Sequence, residues 1–85
     1  MKTFFDSNTR LLRKRKNLTQ EDLAREVKTT RSTINNYESG VFPSLENLLA
    51  LSEYLGISMD TLLRVDLAKL SQIQLLQLER QDHYI

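Results

Sequence analysis

Two helix-start signals in quick succession, Thr19 and Thr30, constrain this chain more than any other feature. Thr19 precedes Gln20-Glu21-Asp22, so its hydroxyl fits the N-cap of a helix, with Asp22 as the returning acid of a short capping box. Leu23, Ala24 and Val27 then form that helix's buried stripe, and Lys28-Thr29 breaks it. Thr30 caps the next helix, from Arg31 to about Glu38, which ends at Ser39-Gly40. A chain of 85 residues has a marginal core, so every apolar helix face has to be used. Ala24 is small and lies where two crossing helices would pack closely.

Helical spacing recurs elsewhere, and two Gly and one Pro are few breakers. Phe5, Thr9 and Leu12 predict a first helix from about Asp6 to Lys16. Pro43-Ser44 opens a fourth, with Leu45, Leu48, Ser52 and Leu55 on one face, Leu49 and Leu51 beside it, and Gly56 as the stop. Ser58 caps a short fifth helix ending near Arg64, and Ser71 with Gln74 opens a last one from about Gln72 to Gln81. The expected fold is all-α: a five-helix body over residues 1–64, and a C-terminal helical tail or linker over 65–85, jointed at 65–71. Ile73, Leu75, Leu76 and Leu78 are scattered around the tail helix. That fits either packing back on the fourth and fifth helices or a dimer contact.

Composition excludes several function classes. There is no Cys, hence no disulfide, no thiolate zinc site and no Cys nucleophile. His83, the only His, lies beside the C-terminus and reads as solvated; no second His or carboxylate cluster offers metal ligands. No cofactor and no enzymatic role are expected. The apolar runs are too short to span a membrane or to form a signal peptide, so a cytoplasmic protein is the default. Charge is polarised. Residues 1–40 hold nine Lys or Arg against five acids, a balance of +4, and residues 41–85 hold three against six, a balance of −3. The run Arg10, Arg13, Lys14, Arg15, Lys16 suits phosphate, or is a solvated helix face.

The segment 18–40, with two short helices and a three-residue break, is the minimal helix-turn-helix arrangement. In its second helix Ile34 and Tyr37 face the body. A turn of about 100° per residue puts Arg31, Ser32, Asn35 and Asn36 on the opposite side. All are polar and none is a carboxylate, as suits a helix lying in the major groove. Asn pairs with adenine and Arg with guanine, while Ser donates or accepts. A merely solvated helix would more often mix in Glu and Lys, so base contact is favoured.

The stretches LLRKRKNLTQEDLA, TTRSTINNYESG and PSLENLLALSEYLGISMDTLL together resemble the Cro/phage-repressor helix-turn-helix family, the XRE type, over about residues 5–63. T-Q-x-x-L-A alone would be weak; with Y-E-x-G and P-S-L-x-x-L at the right spacing it is specific. The resemblance implies a lambda-repressor-like domain whose third helix reads the major groove. It also implies a homodimer on half-sites about 34–36 Å apart. By the same resemblance Arg31, Ser32 and Asn36, with Asn35 adjacent, read bases. Thr19, Gln20 and Thr30 hold phosphates at helix N-termini, and Arg13 and Glu38 form a structural ion pair.

Two positions depart from the family pattern. Lys28 stands where Gly is usual; a left-handed backbone there costs about 1 kcal/mol, which a phosphate contact by Lys28 would offset. The alternative is an ordinary exposed turn residue. Val41-Phe42 stands where the family often has Lys or Arg, leaving an aromatic to be buried on the body or on a partner chain. The expected function is a sequence-specific double-stranded DNA-binding transcriptional regulator, a repressor. The alternatives are an antitoxin-like protein that binds DNA and a partner protein, or a protein-interaction module. Many relatives carry a second domain after the helix-turn-helix, so a further domain or partner protein is also possible.

Overall fold

The computed structural model describes residues 2–82; His83 lies outside the described residues. The elements are α1 (Phe5–Arg15), α2 (Gln20–Glu26), α3 (Arg31–Glu38), α4 (Leu45–Leu55), α5 (Met59–Arg64), a 3-10 turn (Leu67–Lys69) and α6 (Gln72–Asp82). No strand occurs among the described residues. The fold is all-α, as expected.

Local chemistry sets the helix ends. Thr19 accepts from the Asp22 N–H and Asp22 accepts from the Thr19 N–H, both at 3.0 Å, a reciprocal capping box. Thr30, Ser44 and Ser58 each cap their helix by accepting the N–H three residues on. Ser71 and Gln74 form a second box at the start of α6. At the other ends, α1 and α2 close in Schellman motifs that require a left-handed residue. Asn17 (φ 57°) and Lys28 (φ 58°) supply it. At Lys28 the paired bonds run from the Lys28 N–H to Arg25 O (3.3 Å) and from the Thr29 N–H to Ala24 O (2.8 Å). Gly56, at φ 72°, ends α4 without the Cβ penalty.

One core joins all the helices. Leu23, Ile34, Leu51, Leu62 and Leu67 are wholly buried, each contributing about 1.5–3 kcal/mol of transfer free energy. Asn8 pins the C-terminal segment to α1. Its Nδ2 donates to Leu62 O (2.8 Å) and Val65 O (2.7 Å), and its Oδ1 accepts from the Leu67 N–H (3.2 Å). Those bonds satisfy carbonyls left over at the end of α5 and the first donor of the 3-10 turn.

Several sequence expectations change. In α4, Leu45 and Leu49 are exposed, and the buried arc falls on Leu48, Leu51, Ser52 and Leu55. The helix is rotated to centre that arc, which leaves Leu45, in its first turn, beyond the body. The joint at 65–71 is packed, because Leu67 sits in the same core as Leu75. α6 returns to the body through Leu75 and the half-buried Leu78, leaving Ile73 and Leu76 exposed. Leu62 and Leu75 are thus buried in the chain's own core, with Leu63 and Leu78 partly buried against it. The basic run does not act as one face either. Arg13 pairs with Glu38, Arg15 pairs with Glu79, and Lys16 lies over the Tyr54 ring at 5.6 Å.

Candidate nucleic-acid interface

α2 and α3 pack on each other, and α3 turns one side outward. Ile34 and Tyr37 are buried, while Arg31, Ser32, Asn35, Asn36 and Ser39 are exposed. At about 100° per residue, these exposed side chains cover a continuous arc of about 140°. Arg31, Ser32 and Asn36 make no side-chain hydrogen bond or ion pair within the described residues. Tyr37 anchors the opposite side: its hydroxyl accepts from Asn47 Nδ2 at 2.8 Å, and its ring meets Phe5 edge-on at 5.7 Å.

The one acid on α3 is withdrawn from this arc. Glu38 receives Arg13 in a two-pronged ion pair, Nε to Oε2 at 2.7 Å and Nη2 to Oε1 at 3.0 Å. The side chains are 10% and 4% exposed, so little water competes for the pair. Arg13 Nη1 donates to Leu18 O at 2.7 Å, joining the end of α1 to the entry of α2. The hydrogen bond to Glu38 raises the Arg13 pKa despite an opposing effect of burial.

The three residues expected at phosphates occupy the starts of α2 and α3, but their side chains have other partners. Thr19 Oγ1 is taken as an acceptor by Asp22 N, and Thr30 Oγ1 by Thr33 N. Gln20 donates from Nε2 to Asn35 Oδ1 (3.3 Å) and to Glu38 Oε1 (3.2 Å). That bridge from α2 to the outward arc of α3 had no sequence signal, since the partners lie far apart in the chain. Asp22 stands partly exposed at the same helix start. The Thr19 N–H, and then the Thr19 hydroxyl, hold its carboxyl below the usual carboxylate range.

Lys28 lies elsewhere. It lines a shallow depression with Glu26, Val27, Ala50, Glu53 and Tyr54, none of them from the start of α2 or α3. Phe42 is half exposed, yet its ring lies 5.5 Å from Phe5. Among the described residues, no group of His, Asp and Glu is arranged to hold a metal ion. No helix there is long and apolar enough to cross a membrane.

A helix-turn-helix family profile matches residues 10–62, which contain α2, α3 and the Arg13–Glu38 pair. The chain belongs to the helix-turn-helix family of the Cro and phage-repressor type. It is a family of DNA-binding regulators and not of enzymes. The chain is similar to the HTH-type transcriptional activator BcrR of Enterococcus faecalis, at 38% identity over 60 residues. That match takes in 69% of this chain but 29% of BcrR, so the chain spans under a third of that relative. It is also similar to the P22 c2 repressor protein crystallised in complex with synthetic operator 9T. The TM-score is 0.70 at 36% identity, over 74% of this chain and 97% of that one. A transcriptional regulator from Listeria innocua shares the fold, with TM-score 0.68 at 22% identity over 95% of this chain and 91% of the other.

Proposed function

We propose that this chain is the sequence-specific, double-stranded DNA-reading part of a transcriptional regulator, a repressor, acting in the cytoplasm. The observation that carries the reading is the outward arc of α3. Arg31, Ser32, Asn35 and Asn36 are exposed together, and Glu38 is drawn away from phosphate by Arg13. Such an arc suits the major groove, where Arg, Asn and Ser read base edges. The similarity to the P22 c2 repressor, whose structure holds a synthetic operator, supports it.

In this reading the N–H groups at the starts of α2 and α3, that of Gln20 among them, meet phosphates with the hydroxyls of Thr19 and Thr30; the Gln20 side chain stays bonded to Asn35 and Glu38. Arg10 and Lys14 are exposed, without ion pairs among the described residues, and border the same depression as Glu38; they add positive charge there. Lys28, which faces α4, is a turn residue in this account. The functional unit is a homodimer, because one helix reads too few base pairs for high specificity. The exposed side chains Val41, Phe42 and Leu45 are free to contact a second copy.

Selection from random duplex DNA, followed by fluorescence anisotropy across a salt series, tests the reading. Log affinity should fall linearly with log salt, at about −0.9 per phosphate contact. Arg31→Ala should cost about 1–3 kcal/mol on the selected site and relax preference at one base pair. Absence of binding to any duplex at low salt refutes DNA binding. A reporter with the selected site overlapping the promoter should fall on expression of the protein; a rise assigns activation instead.

A further inference from the structure

We infer that Gln20 is a positioning residue that sets the direction of the Asn35 amide, so that Asn35 meets DNA with its NH2 group and demands a hydrogen-bond acceptor there. The inference rests on the reading of α3 as the groove-facing helix. It follows a line of side chains running from the interior outward.

Arg13 can only donate hydrogen bonds. It occupies both Glu38 oxygens, at 2.7 and 3.0 Å, so both oxygens act as acceptors. Glu38 Oε1 also lies 3.2 Å from the Gln20 side-chain amide, and only an NH2 group can bond an acceptor. The Gln20 carbonyl must therefore point away from Glu38. The same NH2 lies 3.3 Å from the Asn35 side chain and has a second hydrogen to give. The Asn35 atom that meets it must be Oδ1; turned the other way, two NH2 groups would face each other with no acceptor between them. Polarity thus passes from a pair whose side chains are 10% and 4% exposed to a residue on the outer arc.

The consequence is a restriction on bases. Asn35 Nδ2 has no partner among the described residues. It needs an acceptor such as a purine N7, guanine O6 or thymine O4. Cytosine offers only its N4 donor in the major groove, which leaves Nδ2 without an acceptor and disfavours it. An Asn free to rotate its amide would turn its oxygen to that donor at no cost; Asn35 would first have to break its bond to Gln20. Gln20 thereby controls sequence preference without touching a base.

The test uses the intact chain and sites selected by the wild type. Asn35→Ala first identifies the base pair whose preference Asn35 sets. Gln20→Leu, which keeps the bulk and removes the donor, should then admit cytosine at that base pair. Discrimination there should fall about tenfold. In the Asn35→Ala background Gln20→Leu should change preference no further. If Gln20→Leu weakens binding evenly over all sequences and leaves that preference intact, Gln20 serves phosphate alone and the inference is overturned. An Asn35→Ala protein with unaltered preferences overturns it as well. Failure of the wild type to bind any duplex removes the DNA reading itself, which is a distinguishable result. Should Gln20→Leu not fold, NMR of the free wild type decides. The Gln20 Hε2 protons should exchange with water more slowly than the Asn35 Hδ2 protons, and equal exchange overturns the inference.

Discussion

Replacing Glu38 with alanine removes both acceptors from a guanidinium whose side chain is 10% exposed. Arg13 keeps a single protein bond, from Nη1 to Leu18 O at 2.7 Å, while Nε and Nη2 lose theirs. Leaving one member of a buried pair uncompensated costs about 3–5 kcal/mol. Arg13 retains an edge to water, which places the expected cost near the lower figure, about 3 kcal/mol. A chain of 85 residues has a total stability of about 4–13 kcal/mol, so this is a large share. At about 4–8 °C per kcal/mol, the melting temperature should drop by about 12–24 °C. Thermal circular dichroism and urea titration measure the loss; an unchanged urea slope would show that two-state unfolding persists. The double variant Arg13→Met, Glu38→Leu leaves no buried charge and should lose much less than the sum of the single variants. A Glu38→Ala protein that melts within about 4 °C of the wild type would refute this, since the pair would then be worth no more than an exposed one.

Lys28→Gly removes a side chain from a left-handed position and should raise stability by about 1 kcal/mol in urea titration, with DNA affinity unchanged. A loss of affinity with a reduced salt slope would return Lys28 to the phosphate contacts. Asn8→Ala leaves two carbonyls and one N–H without their buried partner and should cost about 3 kcal/mol, read as a lowered urea midpoint. Asp22 has a folded-state pKa below its ordinary value. Its contribution is therefore complete above about pH 4 and is lost as pH falls through the lower folded value. Asp22→Asn should flatten that acid limb of a pH–stability curve, and an unchanged limb would assign it to other carboxyls.

The sequence by itself determined where α2 to α6 start and which arc of α3 is polar. A cap is a bond between a hydroxyl and an N–H three residues on, as at Thr19, Thr30, Ser44, Ser58 and Ser71. Such a contact depends on nothing outside its own turn. The polar arc follows from helix period alone, once Ile34 and Tyr37 claim the inside. The Arg13–Glu38 pair was legible only through the family resemblance, since its partners lie 25 positions apart. Tertiary structure alone decided the rest. Nothing local distinguishes Arg15, tied to Glu79 across 64 positions, from the exposed Arg10 and Lys14. Nothing local says that Leu75 is buried while Leu45 and Leu76 are not, or that Asn8 holds the far end of α5. The link from Gln20 to Asn35 needs two helices to cross at a particular place. Bonds within a turn can be read from the order of residues; bonds between elements exist only after the core has set the angles and rotations of the helices that carry them.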